Sequence, residues 1–183
     1  ERTMVSSILP RCAIGHSAPL IFARDPSVCE IVALLGNLNS LVFDYVLRHK
    51  MGGTYLTSFI VKQLPVLPPK AYDHGSLALI VPRVLELVYT AHDLAAFALD
   101  VIDDSRHISS REWIREGLFA EPNSLAISEI QPYRWNPNRR AILRAELDAL
   151  YAHLYGLSRE ELRYILDPQD VYGPDFPGET FRV

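Results

Sequence analysis

The sequence has no long hydrophobic run and only two cysteines among its 183 residues. Apolar runs such as residues 77–81 are far shorter than the roughly 20 residues that cross a membrane, and the first residues given do not have the pattern of a signal peptide, so we expect no membrane partner. Cys12 and Cys29 stand 17 positions apart. This spacing fits neither a disulfide framework nor a zinc site, and it favours two free thiols in a reducing cytoplasm.

Motifs for catalysis are also missing. The string Asn136-Pro137-Asn138 lacks the second proline and the aromatic residue with which adenine methylases grip a flipped base, and a helix cap explains it better. Residues 15–19 (GHSAP) end in proline where a nucleophile elbow needs glycine. Glu179 is not followed by the lysine of nuclease sites. We therefore predict no catalytic residue in this chain.

Acidic residues and histidines give no clear metal site. Asp100, Asp103 and Asp104 offer the oxygen ligands that Mg²⁺ prefers, but an exposed acidic helix end is the more common explanation of such a run. None of the six histidines pairs with another at a ligand spacing. We therefore predict neither a metal ion nor a cofactor in this chain.

Hydrophobic patterns along the chain predict an α+β fold. Strands are expected at residues 3–9, 20–23 and 54–61, the last with a short helix as the alternative. Helices are expected to begin at Ser27 with Glu30, Ser40, Pro82, Thr90 with Asp93, Asn136, and Ser158 with Glu161. The predicted architecture is a small mixed sheet with packed helices in residues 1–72, followed by a mainly helical part in residues 73–183.

Two sets of apolar residues are predicted to be buried. The helix that begins at Asn136 has an apolar stripe formed by Ile142, Leu143, Leu147, Leu150, Tyr151 and Leu154. In the proline-rich segment that follows residue 61, Leu64, Val66 and Leu67 are interpreted as core residues rather than as a ligand surface.

Charge is unevenly distributed between the two parts. The net charge is −4, yet residues 1–72 carry seven basic and four acidic residues, and residues 73–183 carry eleven basic and eighteen acidic residues. The first part is therefore at +3 and the second at −7. A mildly basic first part is suited to face phosphate groups, whereas the acidic second part is not.

Three separated blocks carry a resemblance to a known family. They are residues 37–45 (NLNSLVFDY), 49–54 (HKMGGT) and 62–69 (KQLPVLPP). Together they resemble the end of the TaqI-like target-recognition domain, which occurs in adenine-N6 DNA methyltransferases and in type II enzymes that fuse methylase and restriction activities. Residues 1–10 look like the preceding strands of that domain, and residues 82–87, 90–94, 133–135 and 146–159 are also similar to the family.

The resemblance implies an α+β module that reads double-stranded DNA in a bacterial or archaeal cytoplasm. A methyltransferase domain would precede residue 1, and the start of the chain at Glu1 in a strand-like segment suggests an excised piece of that enzyme. The parent enzyme would use S-adenosylmethionine, but the family's cofactor turn and catalytic loop have no counterpart here. This polypeptide is therefore expected not to methylate DNA by itself.

The polar loops of such a module point to candidate DNA contacts. Hydroxyls and cations can reach bases and phosphates, and glycines let the backbone approach a phosphate closely. The predicted DNA-binding residues are Arg11, His16, Lys50, Gly52, Gly53, Thr54, Tyr55 and Lys62. A second interpretation of the Gly-Gly turn is that it ends a helix whose terminal cations complement the helix dipole.

A rival function belongs to another class. In that hypothesis the chain is a protein-interaction or structural scaffold, whose acidic helical part docks a methylase or nuclease partner domain. The segment would then never touch DNA bases.

Overall fold

The computed structural model describes residues 2–15, 18–53, 55–108 and 130–175. The α-helices in these ranges are α1 (Val28–Leu38), α2 (Leu41–Lys50), α3 (Ser58–Val61), α4 (His74–Val88), α5 (Ala95–Asp104), α6 (Pro137–Leu154), α7 (Arg159–Leu166) and α8 (Gln169–Tyr172). Short 3₁₀ turns lie at Pro69–Ala71, His92–Leu94 and Ser105–His107.

The prediction of an α+β fold with a small mixed sheet is wrong. Across the described ranges the structure contains helices but no β-strand or sheet. Residues 20–23 are extended and exposed without pairing to another segment. Within residues 54–61 the short-helix alternative is correct, because Thr57 caps α3 by accepting the N–H of Ile60. A β-branched, aromatic sequence favours a strand only when a neighbouring strand is there to pair with it.

Residues 2–8, which we call the N-terminal strap, have no regular secondary structure and are held by side chains instead of a sheet. Asp44 Oδ1 accepts the N–H groups of Thr3 and Met4 at 2.8 and 3.0 Å. The Asn39 amide accepts the N–H of Ser6 and donates to its carbonyl, both at 3.0 Å. Helical side chains thus satisfy the backbone groups that a partner strand would otherwise pair.

Most of the helix starts predicted from capping residues are confirmed. Ser27 and Glu30 form a complete capping box at α1, and Ser158 and Glu161 form another at α7. The side chains of Ser40 and Asn136 cap α2 and α6. These predictions hold because a capping bond joins residues only three positions apart and needs no distant partner.

Two helix starts were predicted wrongly. Pro82 lies inside α4, which begins eight residues earlier at His74 after the N-cap residue Asp73. A proline in a helix interior removes one backbone hydrogen bond, and here burial of the apolar face of α4 outweighs that loss. The expected box of Thr90 and Asp93 does not form either, since a 3₁₀ turn at His92–Leu94 leads into α5 without a side-chain cap.

The main core forms where α1 packs on α4 and α5 and where α6 covers α4. It takes buried residues from both sides of residue 72, and the domain boundary predicted there stays a prediction. Of the predicted α6 stripe, Leu143, Leu147 and Tyr151 are buried, whereas Ile142 is 53% exposed and the prediction of its burial is wrong.

A smaller group of apolar residues, the second cluster, lies under α2 and α3. Its buried members are Leu38, Phe43, Leu47 and Leu64, and Met4, Leu34, Val46, Met51, Leu56 and Ile60 pack against them. The predicted burial of Leu64 is therefore confirmed, while Val66 is exposed and Leu67 is half-buried.

None of the described helices is by itself long and apolar enough to cross a membrane. The pair formed by α1 and α2, bent by 57° at their junction, meets the length and composition requirement together.

Candidate nucleic-acid interface

The segment from the end of α2 to the end of α3 packs with one side against the second cluster. Met51, Leu56, Ile60 and Leu64 all belong to the second cluster or pack against it. Six of the exposed residues that the structure describes between positions 50 and 62 are together called the 50–62 surface. It consists of Lys50, Gly52, Gly53, Tyr55, Phe59 and Lys62. The structure therefore brings five of the eight predicted DNA-binding residues to one stretch of exposed chain.

The 50–62 surface lies in a part of the sequence that has no acidic residue. Between Asp44 and Asp73 there is no Asp or Glu, whereas Arg48, Lys50, Lys62 and Lys70 all fall in this interval. Asp44 is 1% exposed, and its carboxylate accepts a hydrogen bond from the strap and forms an ion pair with Arg48. The charge presented outward by this segment is therefore positive, which is the requirement for binding phosphate.

The two glycines of the surface are not required by the fold. A Cβ atom built on Gly52 or Gly53 would meet no other atom within 4 Å, and neither residue has the left-handed backbone that favours glycine. Glycine at such a site leaves the backbone N–H groups open to close approach by an outside group. Both interpretations of the Gly-Gly turn, as a binding turn and as the end of a helix with terminal cations, stay predictions.

Two aromatic rings project from the same segment. Tyr55 is 80% exposed and Phe59 is 73% exposed, while their neighbours Leu56 and Ile60 point into the second cluster. Phe59 was not among the predicted contacts, because residues 54–61 were interpreted mainly as a strand. The apolar residues Leu56, Ile60 and Leu64, spaced by four, were the signal that separates the inward from the outward side chains.

Aromatic contacts fix the end of α2 that carries Lys50. The ring of His49 lies 4.4 Å from that of Tyr45, and its Nδ1 is 2.8 Å from the Tyr45 carbonyl oxygen. Tyr45 meets the edge of Tyr164 in α7 at 6.4 Å, and Tyr164 meets Tyr172 in α8 at 5.7 Å. Burial, with the neighbouring Tyr164, raises the pKa of Tyr45 above its ordinary value, so this phenol stays protonated at neutral pH.

Three predicted contacts are not placed on this surface. Arg11 is exposed at a bend after the strap, and no hydrogen bond or ion pair joins it to the described part of the 50–62 surface. His16 and Thr54 lie outside the described residues.

Elsewhere the described chain offers little for catalysis or metal binding. No group of three His, Cys, Asp or Glu residues within the described ranges could hold a metal ion. Asp104, one of the three acidic residues considered for Mg²⁺, accepts the Cys29 N–H at 2.7 Å in the first turn of α1. Burial alone would raise the pKa of Asp104, but the Cys29 and Ser27 hydrogen bonds prevail and lower it.

Among the described residues two clefts have similar volumes. One of about 270 Å³ lies between α1 and residues 66–72, with a mainly apolar lining that includes Ile31, Leu34 and Leu67. Two carboxylates line this cleft: Glu30 is engaged in the capping box of α1, and Asp25 is exposed.

The described residues thus form a helical protein in which the 50–62 surface carries exposed cations and aromatic rings. A second cation–aromatic pair lies in the acidic part, where the Arg140 guanidinium is 3.8 Å from the ring centroid of the exposed Trp135. Comparison of the chain with protein-family models, with curated proteins and with solved structures finds no match.

Proposed function

We propose that this chain recognises double-stranded DNA on behalf of a S-adenosylmethionine-dependent adenine-N6 DNA methyltransferase of a restriction–modification system, and that it has no catalytic activity of its own. The observation that carries the proposal is the 50–62 surface, where cations, open glycines and aromatic rings stand together on exposed chain. The sequence blocks that resemble the target-recognition family include the same residues.

Each component of the surface has a role in this proposal. Lys50 and Lys62 neutralise phosphate groups and release their counterions, which gives affinity without sequence preference. The N–H groups at Gly52 and Gly53 donate to phosphate oxygens, because no side chain blocks their approach. Tyr55 offers a hydroxyl and a ring to the bases, so that sequence is read beside a backbone that the cations hold in position.

The protein-interaction scaffold remains a second candidate, and one observation favours it. Leu20, Ile21 and Phe22 are exposed in a row on the extended segment before α1. Consecutive exposed apolar residues are typical of a surface that another protein covers. In this case the partner would be the methylase or nuclease domain of the parent enzyme.

A fluorescence-anisotropy titration with a random-sequence duplex, repeated over a salt series, tests the DNA-binding proposal. We expect the affinity of the wild-type chain to fall steeply as salt rises. Lys50→Glu and Lys62→Glu should each weaken binding and reduce the slope of log K against log salt by about 1. Arg163→Glu makes the same charge change in α7, beside the acidic Glu160 and outside the blocks that resemble the family, and this control should bind like the wild type.

The same variants separate the two candidates. If the wild-type chain fails to bind DNA even at low salt, or if Arg163→Glu weakens binding as much as Lys50→Glu does, the proposal is wrong. Retained DNA binding in Lys50→Glu and Lys62→Glu, combined with failure of a Phe22→Ala variant to associate with the separately expressed methyltransferase domain, would favour the scaffold.

A further inference from the structure

The exposure of the Tyr55 and Phe59 rings to water is energetically unfavourable, and the described fold does not account for it. Each ring leaves most of its apolar area in water, although apolar surface is favoured inside the protein. Their neighbours Leu56 and Ile60 are the residues that attach this segment to the second cluster. The rings can therefore contact a ligand while Leu56 and Ile60 keep the segment attached to the second cluster.

The polar groups beside the rings indicate which class of ligand this surface is suited to bind. Thr57 and Ser58 lie between Tyr55 and Phe59 in the sequence and are exposed as well, so polar side chains border the two rings. A lipid surface or a protein core would favour a continuous patch. The two flat rings, flanked in the sequence by the exposed Lys50 and Lys62, are complementary to a nucleic-acid strand, which presents flat bases and charged phosphates.

We propose that Tyr55 and Phe59 stack on unpaired nucleobases, so that the 50–62 surface prefers DNA in which bases have left the helical stack. This inference rests on the proposed function, since it places bases on the surface to which Lys50 and Lys62 would bring the phosphates. Paired bases inside a regular duplex present only their edges, whereas a bulged base exposes a π face.

The experiment compares two duplexes with the full chain: one fully matched and one of the same sequence with a two-nucleotide bulge. We expect the wild-type chain to bind the bulged duplex about tenfold more tightly than the matched one, the order of magnitude of one base–aromatic stack. The double variant Tyr55→Ala/Phe59→Ala should lose this ratio, because its affinity for the bulged duplex falls by about tenfold more than its affinity for the matched duplex, to which Tyr55 also contributes.

Two further variants make the outcome specific to the rings. Tyr55→Trp/Phe59→Trp keeps flat aromatic surfaces and should keep the preference for the bulge. Phe22→Ala removes a ring that is 85% exposed on another segment, and it should leave the ratio unchanged. Thermal unfolding of each variant checks that these surface changes have not altered the fold.

Each result has a defined meaning. Equal affinity of the wild type for both duplexes overturns the stacking inference but leaves the proposed DNA binding standing. Binding to the bulged duplex alone supports stacking and overturns recognition of regular duplex DNA, and binding to neither overturns both. Adsorption to phosphatidylserine vesicles that the double alanine variant abolishes, with an unaltered bulge ratio, would assign the rings to a lipid surface and overturn the inference.

Discussion

Tyr151 of α6 lies against Gly36 of α1 so closely that a side chain at Gly36 would meet the tyrosine hydroxyl oxygen at 2.5 Å. The same hydroxyl donates a hydrogen bond to the Ala33 carbonyl oxygen at 2.7 Å. Both residues are buried, and their contact joins a helix of the first 72 residues to a helix near the end of the chain. The glycine is therefore required by packing between helices and not by the backbone of α1.

Replacement of Gly36 should accordingly destabilise the protein. Alanine normally stabilises a helix relative to glycine, but here its methyl group must displace the buried Tyr151 ring, and we expect Gly36→Ala to lower the free energy of unfolding by about 1–3 kcal/mol. Urea denaturation measures this difference. Gly52→Ala is the control, because its new methyl group meets open space, and its stability should stay within about 0.5 kcal/mol of the wild type. A Gly36→Ala variant as stable as the wild type would contradict the packing argument.

The strap should depend on Asp44. Asp44→Ala leaves the N–H groups of Thr3 and Met4 without their acceptor, and we expect a loss of about 1–3 kcal/mol in the free energy of unfolding. Hydrogen exchange at those two amides should become faster in the variant. Asp93→Ala removes an exposed carboxylate and serves as the control, with little expected change. Unchanged exchange at Thr3 and Met4 would show that the strap is held by other contacts.

Asp148 should make stability depend on pH in the direction opposite to that of most carboxylates. Burial raises its pKa above 3.8, and the attraction of Arg2 and the hydrogen bond from the Leu41 N–H offset only part of this effect. The folded chain thus holds this proton more tightly than the unfolded chain does. The resulting contribution is fully present below pH 3.8 and is lost as the pH rises through the raised pKa.

The variant Asp148→Asn tests that sign, because asparagine imitates the neutral acid. The free energy of unfolding of the wild type, relative to the variant, should decrease as the pH rises through this window, as measured by urea denaturation at a series of pH values. Asp93→Asn, at an exposed site, should follow the wild type in parallel. An increase of the difference with rising pH would mean that Arg2 and the Leu41 N–H outweigh burial.

The two cysteines should differ in reactivity. Cys12 is exposed, whereas Cys29 is buried in the first turn of α1. Burial and the nearby carboxylate of Asp104 raise the pKa of Cys29 to about 12, so its thiol carries a proton at neutral pH and is a poor nucleophile. We expect one thiol per chain to react rapidly with a disulfide reagent in the native protein, and two after denaturation. Cys12→Ser should remove the rapid phase, and a rapid phase that persists in this variant would contradict the burial of Cys29.

The candidate site was accessible to sequence reasoning only in part. The cations and the Gly-Gly turn stand out in the sequence because their chemistry is local, and the structure places Lys50, Gly52, Gly53, Tyr55 and Lys62 on exposed chain. Phe59 was missed because the direction of a side chain depends on which element contains it. In a short helix anchored by Leu56 and Ile60 that direction is set by the second cluster, which includes Leu38 and Phe43 from other helices.

The sequence by itself determined the helix starts at Ser27, Ser40, Asn136 and Ser158, because each depends on a side chain and a backbone N–H three residues away. The tertiary structure alone decided how the strap is bound. Its sequence has a strand-like pattern, but its N–H groups bond to the side chains of Asp44 and Asn39 and not to another strand. It also decided that Pro82 lies inside a helix, since the burial of α4 against α1 stabilises a backbone that local preferences disfavour. Local hydrogen bonds can be read along the chain, whereas pairing and burial depend on residues that only folding brings together.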